Sequence, residues 1–237
     1  MRMQTGFHIV LVEPRYDGNI GSVARVMKNF GFKNLVLINP PEIGAEGRRN
    51  AMHARDVLDD ARLFANFEDM LPHYDFLVGS TAKIGRDGNT RRTPVFVDDL
   101  GGSIETDGDI ALLFGREDYG LLNEEIEACD MLVTIPSHHE YPTLNLAQSV
   151  GIMLYELTRQ QGKKRFTDKK FKMLSKIEKD VLLRFYDGLV DNVMDHEFEN
   201  NIAKKTFRQL LGRAFVSGRE ARTLTGIIRK AMERTSN

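Results

Sequence analysis

The chain has 237 residues, of which 41% are hydrophobic and 28% are charged, and its formal net charge at pH 7 is −1. This composition is ordinary for a soluble globular protein, and the single cysteine, Cys129, excludes an internal disulfide and is interpreted as a packing residue. No stretch approaches the roughly 18 to 20 consecutive apolar residues of a membrane span, and the N-terminus lacks a signal-peptide pattern. We therefore expect a cytoplasmic protein without membrane contact.

Five short, nearly continuous apolar runs predict β-strands that are buried on both faces. They cover residues 7–13, 35–39, 76–80, 110–114 and 131–135. Helical periodicity lies between most of these runs. Strands that alternate with helices predict an α/β domain with a mostly parallel sheet.

The first predicted helix spans residues 20–30, where the apolar side chains recur on one face. Ser22, Arg25 and Asn29 lie on the opposite face of this helix. Asn19 is well placed as its N-cap, and Gly31 ends it.

The last of the five strands leads into the segment IPSHHEYPTLNLAQSV and then into a helix predicted over residues 146–157. Thr143 or Asn145 is a plausible N-cap for this helix. The same segment places His138, His139 and Glu140 side by side. Neighbouring side chains diverge, whereas helical zinc sites use i, i+4 spacing, so we expect no metal site here.

A basic connection, GKKRFTDKK, follows this helix and precedes three further helices, predicted at about 169–194, 199–214 and 219–234. We therefore predict two domains, an α/β domain over residues 1–162 and a small helical domain over residues 163–237. The second carries 18 Lys+Arg against 10 Asp+Glu, a net charge of +8, whereas the first has −9. This asymmetry suggests that the helical region meets a polyanion, although a lysine-rich solvated surface has the same composition.

Ligands of open α/β sheets usually bind in the loops after the strands. The chain contains neither GxGxxG nor GxxxxGK[ST], so no motif supports dinucleotide or nucleoside triphosphate binding. After the fourth strand come Arg116 and Glu117, which could be an acid/base pair or an internal ion pair that shapes the loop. The loop after the third strand could hold phosphates or be an ordinary solvated surface; its cations are Lys83, Arg86, Arg91 and Arg92.

Three segments, NIGSVARVMKNFG, LLFGREDYGLLNEE and IPSHHEYPTLNLAQSV, resemble in order and spacing the three motifs of the SPOUT superfamily of RNA ribose 2′-O-methyltransferases, in its TrmH-like branch. The segments RFYDGLVDNVM, KKTFRQLLGRAF and ARTLTGIIRKAM are similar to the helical extension of the TrmJ-type enzymes. The resemblance implies a C-terminal trefoil knot in the α/β domain, which forms an S-adenosyl-L-methionine pocket, and a homodimer. It also implies methylation of the ribose of nucleotide 32, a cytidine or uridine, in the anticodon loop of tRNA.

Motif position also assigns the residues of the site. The resemblance implies a cofactor pocket formed by Ser80, Thr81, Ala82, Gly115, Ile135, Thr143, Leu144 and Asn145. It implies catalytic roles for Arg25, Asn19, Glu117 and Asn145. We expect contacts to RNA from Arg25, Lys83, Arg86, Arg91, Arg92, Arg116, Lys204, Lys205 and Arg208.

The family gives the role of base to the arginine that matches Arg25, but a guanidinium has too high a pKa to lose its proton easily. We expect Arg25 instead to hold the adjacent phosphate and stabilise the forming alkoxide. Asn19 would orient Arg25 or the ribose, and Glu117 would pair with Arg116 or Arg25. Thr143 stands where the family commonly has serine and keeps the hydroxyl group. Two alternatives stay open: a methyltransferase acting on ribosomal RNA, and a non-catalytic RNA-binding protein.

Overall fold

A computed structural model describes residues 6–82, 94–100, 108–161, 174–214 and 216–235. Within these residues the chain forms a seven-stranded sheet in which every pairing is parallel. The strands are β1 (Phe7–Val12), β2 (Asn34–Ile38), β3 (Arg62–Phe64), β4 (Phe76–Ser80), β5 (Val95–Phe96), β6 (Ile110–Phe114) and β7 (Met131–Thr134). Their order across the sheet is β3-β2-β1-β6-β4-β7-β5. The α/β class and the parallel sheet are confirmed.

The five predicted strands are β1, β2, β4, β6 and β7, each within a residue of the expected end. The two strands that were not predicted, β3 and β5, have three and two residues and form the edges of the sheet. The strand order is compatible with a trefoil knot, and the knot itself stays a prediction.

Ten α-helices lie within the described residues. They are α1 (Asp17–Phe30), α2 (Ala45–Ala51), α3 (Arg55–Asp59), α4 (Phe67–Met70), α5 (Val97–Leu100), α6 (Asn123–Ala128), α7 (Leu146–Gln161), α8 (Lys176–Val193), α9 (Glu197–Arg213) and α10 (Gly218–Thr235). A 3-10 turn, Met52–Ala54, joins α2 to α3. None of the described helices combines the length and apolarity needed to cross a bilayer.

The first helix ends as expected but begins earlier. Gly31 ends α1 with a φ of 79°, a left-handed conformation that glycine adopts at little cost. The N-cap position belongs to Tyr16, so the prediction that Asn19 is the N-cap is wrong. Asn19 lies instead in the first turn of α1, and its side chain is available for other contacts.

The sheet has a hydrophobic core on each face, which explains why the strand sequences are apolar at successive positions. Along β1, Ile9 and Leu11 enter one core, and Val10 and Val12 enter the other. The first core contains the inner faces of α1 and α7, while Ile126 of α6 joins the second. Cys129 is fully buried in the second core, as predicted for a packing residue.

Helices α8, α9 and α10 share a third core, which includes Leu182, Leu211 and Ala221. The first of them starts at Lys176, where Ser175 caps it, rather than at about residue 169. This helical region docks beside the amino ends of β4 and β7. Lys179 contributes a salt bridge of 2.9 Å to Asp130, the residue immediately before β7. The predicted boundary between residues 162 and 163 lies at the edge of a stretch outside the described residues, so the division into two domains stays a prediction.

Candidate active site

The candidate site begins where β1 and β6 lie side by side in the sheet. The chain leaves β1 towards β2 on one side, whereas β6, β4 and β7 lie on the other, so the strand order reverses at this point. Ligands of open α/β sheets bind in the crevice at such a switch point. Asn19 follows β1 and Glu117 follows β6, and here Asn19 Nδ2 donates a hydrogen bond of 2.8 Å to Glu117 Oε1.

Asn145, from the third motif, joins the same cluster. Its Nδ2 donates to Asn19 Oδ1 at 3.1 Å, although the two residues are 126 positions apart. Its Oδ1 accepts the backbone N–H of Ala147 at 2.9 Å and thereby caps α7. Asn145 is therefore the N-cap that the sequence offered as one of two choices. Glu117, Asn19 and Asn145 form a continuous chain of hydrogen bonds, which we call the polar triad.

The polar triad is held from the side of Glu117 as well. Glu117 Oε2 accepts the backbone N–H of Arg15 at 3.0 Å, and the Arg15 guanidinium forms a salt bridge with Asp118. These contacts fasten the loop after β1 to the loop after β6. The expected pairing of Glu117 with Arg116 or Arg25 is wrong. Arg116 and Gly120 close a tight turn, in which the side chain of Arg116 is directed to Glu13 and that of Glu117 to Asn19.

Arg116 points into the protein. Its Nη1 donates to both oxygens of Glu125 at 2.9 and 2.8 Å, and its Nε donates to Glu13 at 2.9 Å. Burial alone would lower the pKa of Arg116, but the hydrogen bonds and charges of Glu125 and Glu13 raise it above its ordinary value. The side chain is 4% exposed and presents almost no surface to RNA, contrary to the predicted contact. Of the two interpretations offered by the sequence, the internal ion pair describes Arg116.

Arg25 lies apart from the polar triad. It is exposed on α1, six residues after Asn19, which places it about 9 Å further along the helix axis and on a different face. Its side chain forms neither a hydrogen bond nor a salt bridge with any of the described residues. The structure thus brings together three of the four predicted catalytic residues and leaves Arg25 on an open surface.

The predicted cofactor residues lie at one edge of the sheet, at the carboxyl ends of three neighbouring strands. Ser80 ends β4, Gly115 follows β6 and Ile135 follows β7. Thr81 donates its backbone N–H to Val133 at 2.9 Å, and Ala82 comes directly after it. The remaining three residues, Thr143, Leu144 and Asn145, lead into α7. The donors here are backbone groups, hydroxyls and one amide, a neutral set that suits a ligand bound largely through main-chain atoms.

The glycine at this edge is required by the tight turn. A Cβ atom on Gly115 would overlap the backbone of Gly120 and Leu121. Gly120 itself has a φ of 76°. The turn therefore closes only with glycine at these two places, and its closure sets the positions of Arg116 and Glu117.

The predicted RNA contacts of the helical region are engaged within the protein. Lys204 pairs with Asp191 at 2.6 Å, and Lys205 pairs with Glu127 of α6 at 2.9 Å. Arg208 lies 3.8 Å from Asp130. The four cations of the loop after β4, Lys83, Arg86, Arg91 and Arg92, lie outside the described residues.

The adjacent histidines lie in an exposed loop after β7. The rings of His138 and His139 are 4.6 Å apart, and His139 lies 4.0 Å from Glu140. In the part of the chain that the structure describes, no group of three His, Cys, Asp or Glu side chains could hold a metal ion.

Two residues of the site region were not predicted, Arg15 and Glu13. Glu13 directly follows β1, has a φ of 47° and is bound by Arg116. Asn39 directly follows β2 in the same way, with a φ of 44°. A polar residue at the end of each apolar run is the signal that could have indicated Glu13, since such residues face the carboxyl edge of the sheet. Arg15 lies three residues beyond β1 and has no such signal.

This fold is that of a methyltransferase of the SpoU type. The SpoU rRNA Methylase family matches residues 6–155, so the chain belongs to that family. The matched segment contains the whole sheet and the polar triad.

The similarity to individual proteins extends through the helical region. The tRNA (cytidine-2'-O-)-methyltransferase TrmJ of Methanocaldococcus jannaschii is 39% identical over 91% of this chain and 95% of its own length. The crystal structure of TrmJ from Z. mobilis ZM4 matches with a TM-score of 0.68 and 25% identity, covering 94% of this chain and 97% of that one. The expected TrmJ-type relationship is confirmed.

Structural neighbours include proteins solved with the expected cofactor. The SpoU methyltransferase AviRb from Streptomyces viridochromogenes, solved in complex with AdoMet, matches with a TM-score of 0.55 and 21% identity. It covers 68% of this chain and 62% of that one, and at this identity the match shows the fold.

Proposed function

We propose that this enzyme transfers a methyl group from S-adenosyl-L-methionine to the ribose 2′-oxygen of nucleotide 32 in tRNA, with cytidine as the preferred base. The observation that carries the proposal is the polar triad at the switch point of the sheet, which links all three motif segments. The relative from M. jannaschii supports tRNA and cytidine, because the similarity continues through the helical region and covers 95% of that protein.

The cofactor would lie against the carboxyl ends of β4, β6 and β7. Ser80, Thr81, Ala82, Gly115, Ile135, Thr143, Leu144 and Asn145 would hold it. When bound, it supplies an electrophilic methyl group on a sulfonium. The methyl transfer needs the ribose 2′-oxygen in line with the carbon–sulfur bond, so much of the acceleration comes from positioning the two reactants.

The polar triad would provide part of that positioning. Asn19 already uses one N–H and its carbonyl oxygen within the triad, which leaves its second N–H for a substrate. Because Glu117 and Asn145 fix both ends of the amide, the direction of that N–H is set before the substrate arrives. Such pre-organised donors favour the transition state, since no reorientation is needed during the reaction.

Arg25 would act from the open surface of α1. Its guanidinium stays protonated, so it is suited to bind the phosphate next to the target ribose and to stabilise the forming alkoxide. The hydroxyl proton leaves to water or to a neighbouring acceptor; within the triad the carboxylate of Glu117 is the group able to accept it.

We further propose a homodimer that forms through α1 and α7. Tyr155 of α7 is 53% exposed and packs its ring 6.4 Å from Phe30 of α1, and Ile152 beside it is 36% exposed. A second copy on this face would cover both apolar side chains. It would also bring exposed Arg25 close to the partner, so that residues of both subunits would lie near each site.

The helical region would bind the body of the tRNA. Six of its 18 basic residues fall within residues 163–172, where Asp168 is the single acid, while Lys204 and Lys205 of α9 are paired with carboxylates. We therefore assign the main electrostatic contact to this connecting segment. Helices α8 to α10 dock at the amino ends of the strands. In one protomer these ends are one strand length, about 17 Å, from the carboxyl edge that carries the polar triad. An RNA bound by the helical region would therefore span that distance to reach the triad.

A methyltransferase of ribosomal RNA is the alternative, favoured by the family's description alone. The test is incubation of the protein with labelled S-adenosyl-L-methionine and unmodified transcripts of tRNA and of ribosomal RNA, followed by mapping of the methylated nucleotide. Label at ribose 32 of tRNA is expected. Label confined to ribosomal RNA would replace the proposal by the alternative, and binding of tRNA without any transfer would indicate a non-catalytic RNA-binding protein.

A further inference from the structure

A groove lined by basic side chains lies beside α1, outside the site described above. It has a volume of about 870 Å³ and is bordered by the end of α1, by α2, by the 3-10 turn and by the start of α3. Its charged side chains are Lys28, Arg48, Arg49, Arg55 and one carboxylate, Asp56. We call it the basic groove. Four cations against one carboxylate are concentrated here although the α/β region as a whole is acidic.

The cations of the basic groove are unevenly neutralised. Lys28 Nζ donates to both oxygens of Asp56 at 2.7 and 2.9 Å, and Arg48 pairs with Asp59 at 3.2 Å. Arg55 donates to the backbone oxygen of Arg48 at 3.4 Å. Among the described residues, neither Arg49 nor Arg55 has a carboxylate partner. Two exposed guanidinium groups therefore face the groove with their charge uncompensated, which favours binding of an anion.

One residue that lines the groove, Met52, has an unusual backbone conformation. Met52, the residue directly after α2, has a φ of 51° and a ψ of −114°, a conformation that costs free energy in a residue other than glycine. Its side chain is 50% exposed among the cations. An apolar contact surrounded by guanidinium groups fits a nucleic-acid strand, whose phosphates alternate with sugars and bases, better than it fits a small inorganic anion.

The basic groove is continuous with the surface that carries Arg25. Lys28 follows Arg25 by three residues on α1, so the two side chains are neighbours on the helix surface, about 4.5 Å apart along the axis. A strand whose phosphate is held by Arg25 can therefore continue directly into the groove.

We propose that the basic groove binds backbone phosphates of the RNA substrate next to the nucleotide that is methylated. This inference rests on the proposed function. It assigns to Arg49 and Arg55 an RNA contact additional to those of the loop after β4 and of the helical region.

The test compares RNA binding by the parent protein with RNA binding by two variants, one expected to bind more weakly and the other more tightly. Arg49→Ala/Arg55→Ala should weaken binding of unmodified tRNA transcript about tenfold or more, and should reduce the dependence of log K on log salt by about one to two, because each lost phosphate contact removes roughly 0.9 from that slope. Asp56→Asn should tighten binding several-fold, because it removes the carboxylate of the groove and releases Lys28. A variant that merely misfolds would not bind more tightly.

Two matched control variants make the same change in charge at positions outside the basic groove. Lys33→Ala/Arg62→Ala removes two exposed cations outside the groove, and Asp60→Asn removes a nearby exposed carboxylate. Both controls should bind tRNA within about twofold of the parent. The turnover number at saturating tRNA and the affinity for S-adenosyl-L-methionine should be unchanged in both controls, because their altered residues lie outside the basic groove and the polar triad.

Several outcomes would overturn the inference. Unchanged tRNA affinity and salt dependence in Arg49→Ala/Arg55→Ala would exclude an RNA contact at the groove, even if the parent methylates tRNA normally. Pyrophosphate serves as the small-anion probe, and a loss of its binding in Arg49→Ala/Arg55→Ala with intact tRNA binding would identify a small-anion site instead. Absence of tRNA methylation by the parent protein would be a failure of the proposed function, and is seen before any variant is compared.

Discussion

Lys179 of α8 reaches the base of β7 and binds Asp130 Oδ2 at 2.9 Å, with the two side chains 11% and 3% exposed. The same carboxylate oxygen accepts the backbone N–H of Leu77 at 3.0 Å, and Lys179 also donates to the carbonyl oxygen of Asp75 at 2.6 Å. One buried ion pair therefore joins the helical region to two neighbouring strands of the sheet.

Lys179→Met should destabilise the protein because it removes the closer of the two cations that pair with the buried Asp130 and leaves only Arg208, at 3.8 Å. Removing one member of a buried pair costs about 3 to 5 kcal/mol of unfolding free energy. Urea unfolding measures the loss. Lys204→Met, which breaks the more exposed pair with Asp191, should cost less than about 1 kcal/mol. Equal unfolding midpoints for the two variants would show that the ion pair with Asp130 does not hold the regions together.

Arg25→Ala should lower the turnover number about a hundredfold or more, since it removes the charge proposed to stabilise the forming alkoxide. Affinity for S-adenosyl-L-methionine, measured by calorimetry, should remain close to that of the parent. Asn29→Ala is the matched control, because Asn29 is exposed on the same helix one turn further along. Near-normal turnover by Arg25→Ala would refute the catalytic assignment.

Asn145 can be tested by separating its two hydrogen-bonding roles. Asn145→Asp keeps an oxygen that caps α7 but places a carboxylate against Asn19 Oδ1, and Asn19 cannot rotate its amide without losing Glu117. Stability should therefore stay within about 0.5 kcal/mol of the parent while turnover falls at least tenfold. Asn145→Ala should lose about 1 kcal/mol of stability as well as turnover. Full activity in Asn145→Asp would show that the bond to Asn19 is dispensable.

Glu13 predicts a specific acid sensitivity. The hydrogen bond from Arg116 holds the pKa of Glu13 below its ordinary value of 4.5 in the folded protein. A carboxyl group whose pKa is lowered by folding stabilises the protein fully above that ordinary value and loses the contribution as the pH falls through the lower folded value. Glu13→Gln should therefore be less stable than the parent at pH 7, and the difference should narrow below pH 4.5.

The size of this effect is modest, because the Glu13 side chain is 42% exposed. We expect less than about 1 kcal/mol at pH 7. Thermal unfolding between pH 3 and pH 7 provides the measurement, with Glu42→Gln, an exposed residue outside the ion-pair network, as the control. A constant difference across this range would mean that the ionised form of Glu13 is not the stabilising one.

Much of the fold was accessible from the sequence because the central strands are buried on both faces. Apolar runs of four to seven residues are typical of strands buried on both faces of a sheet. The edge strand β3 consists of RLF with two of its three residues exposed, and it has no such pattern. The sequence predicts the wrong N-cap for α1, because Asn19 is a residue type that favours this position and lies just before the apolar periodicity begins. Its side chain instead donates a hydrogen bond to Glu117, which is 98 residues away in the sequence. A local sequence pattern cannot predict such a contact.

The sequence predicted which residues belong to the site better than it predicted how their side chains contact one another. Motif order brought Asn19, Glu117 and Asn145 to attention, and the structure joins them. The adjacent Arg116 and Glu117 could not be separated by sequence alone, because the direction of each depends on a turn closed by Gly115 and Gly120. The ion pairs of Lys205 and Arg208 depend on how α9 docks, which charge counting cannot reveal.

The dual bonding of Asn145 has a consequence for regulation by assembly. The residue that fixes the start of α7 also fixes Asn19, so a shift of that helix is transmitted to the Asn19 amide without any intervening loop. If a second copy packs on α7, dimerisation will set the working geometry of both sites. Specific activity should then rise with enzyme concentration around the dissociation constant of the dimer, and a protomer diluted below it would bind substrates but turn them over slowly.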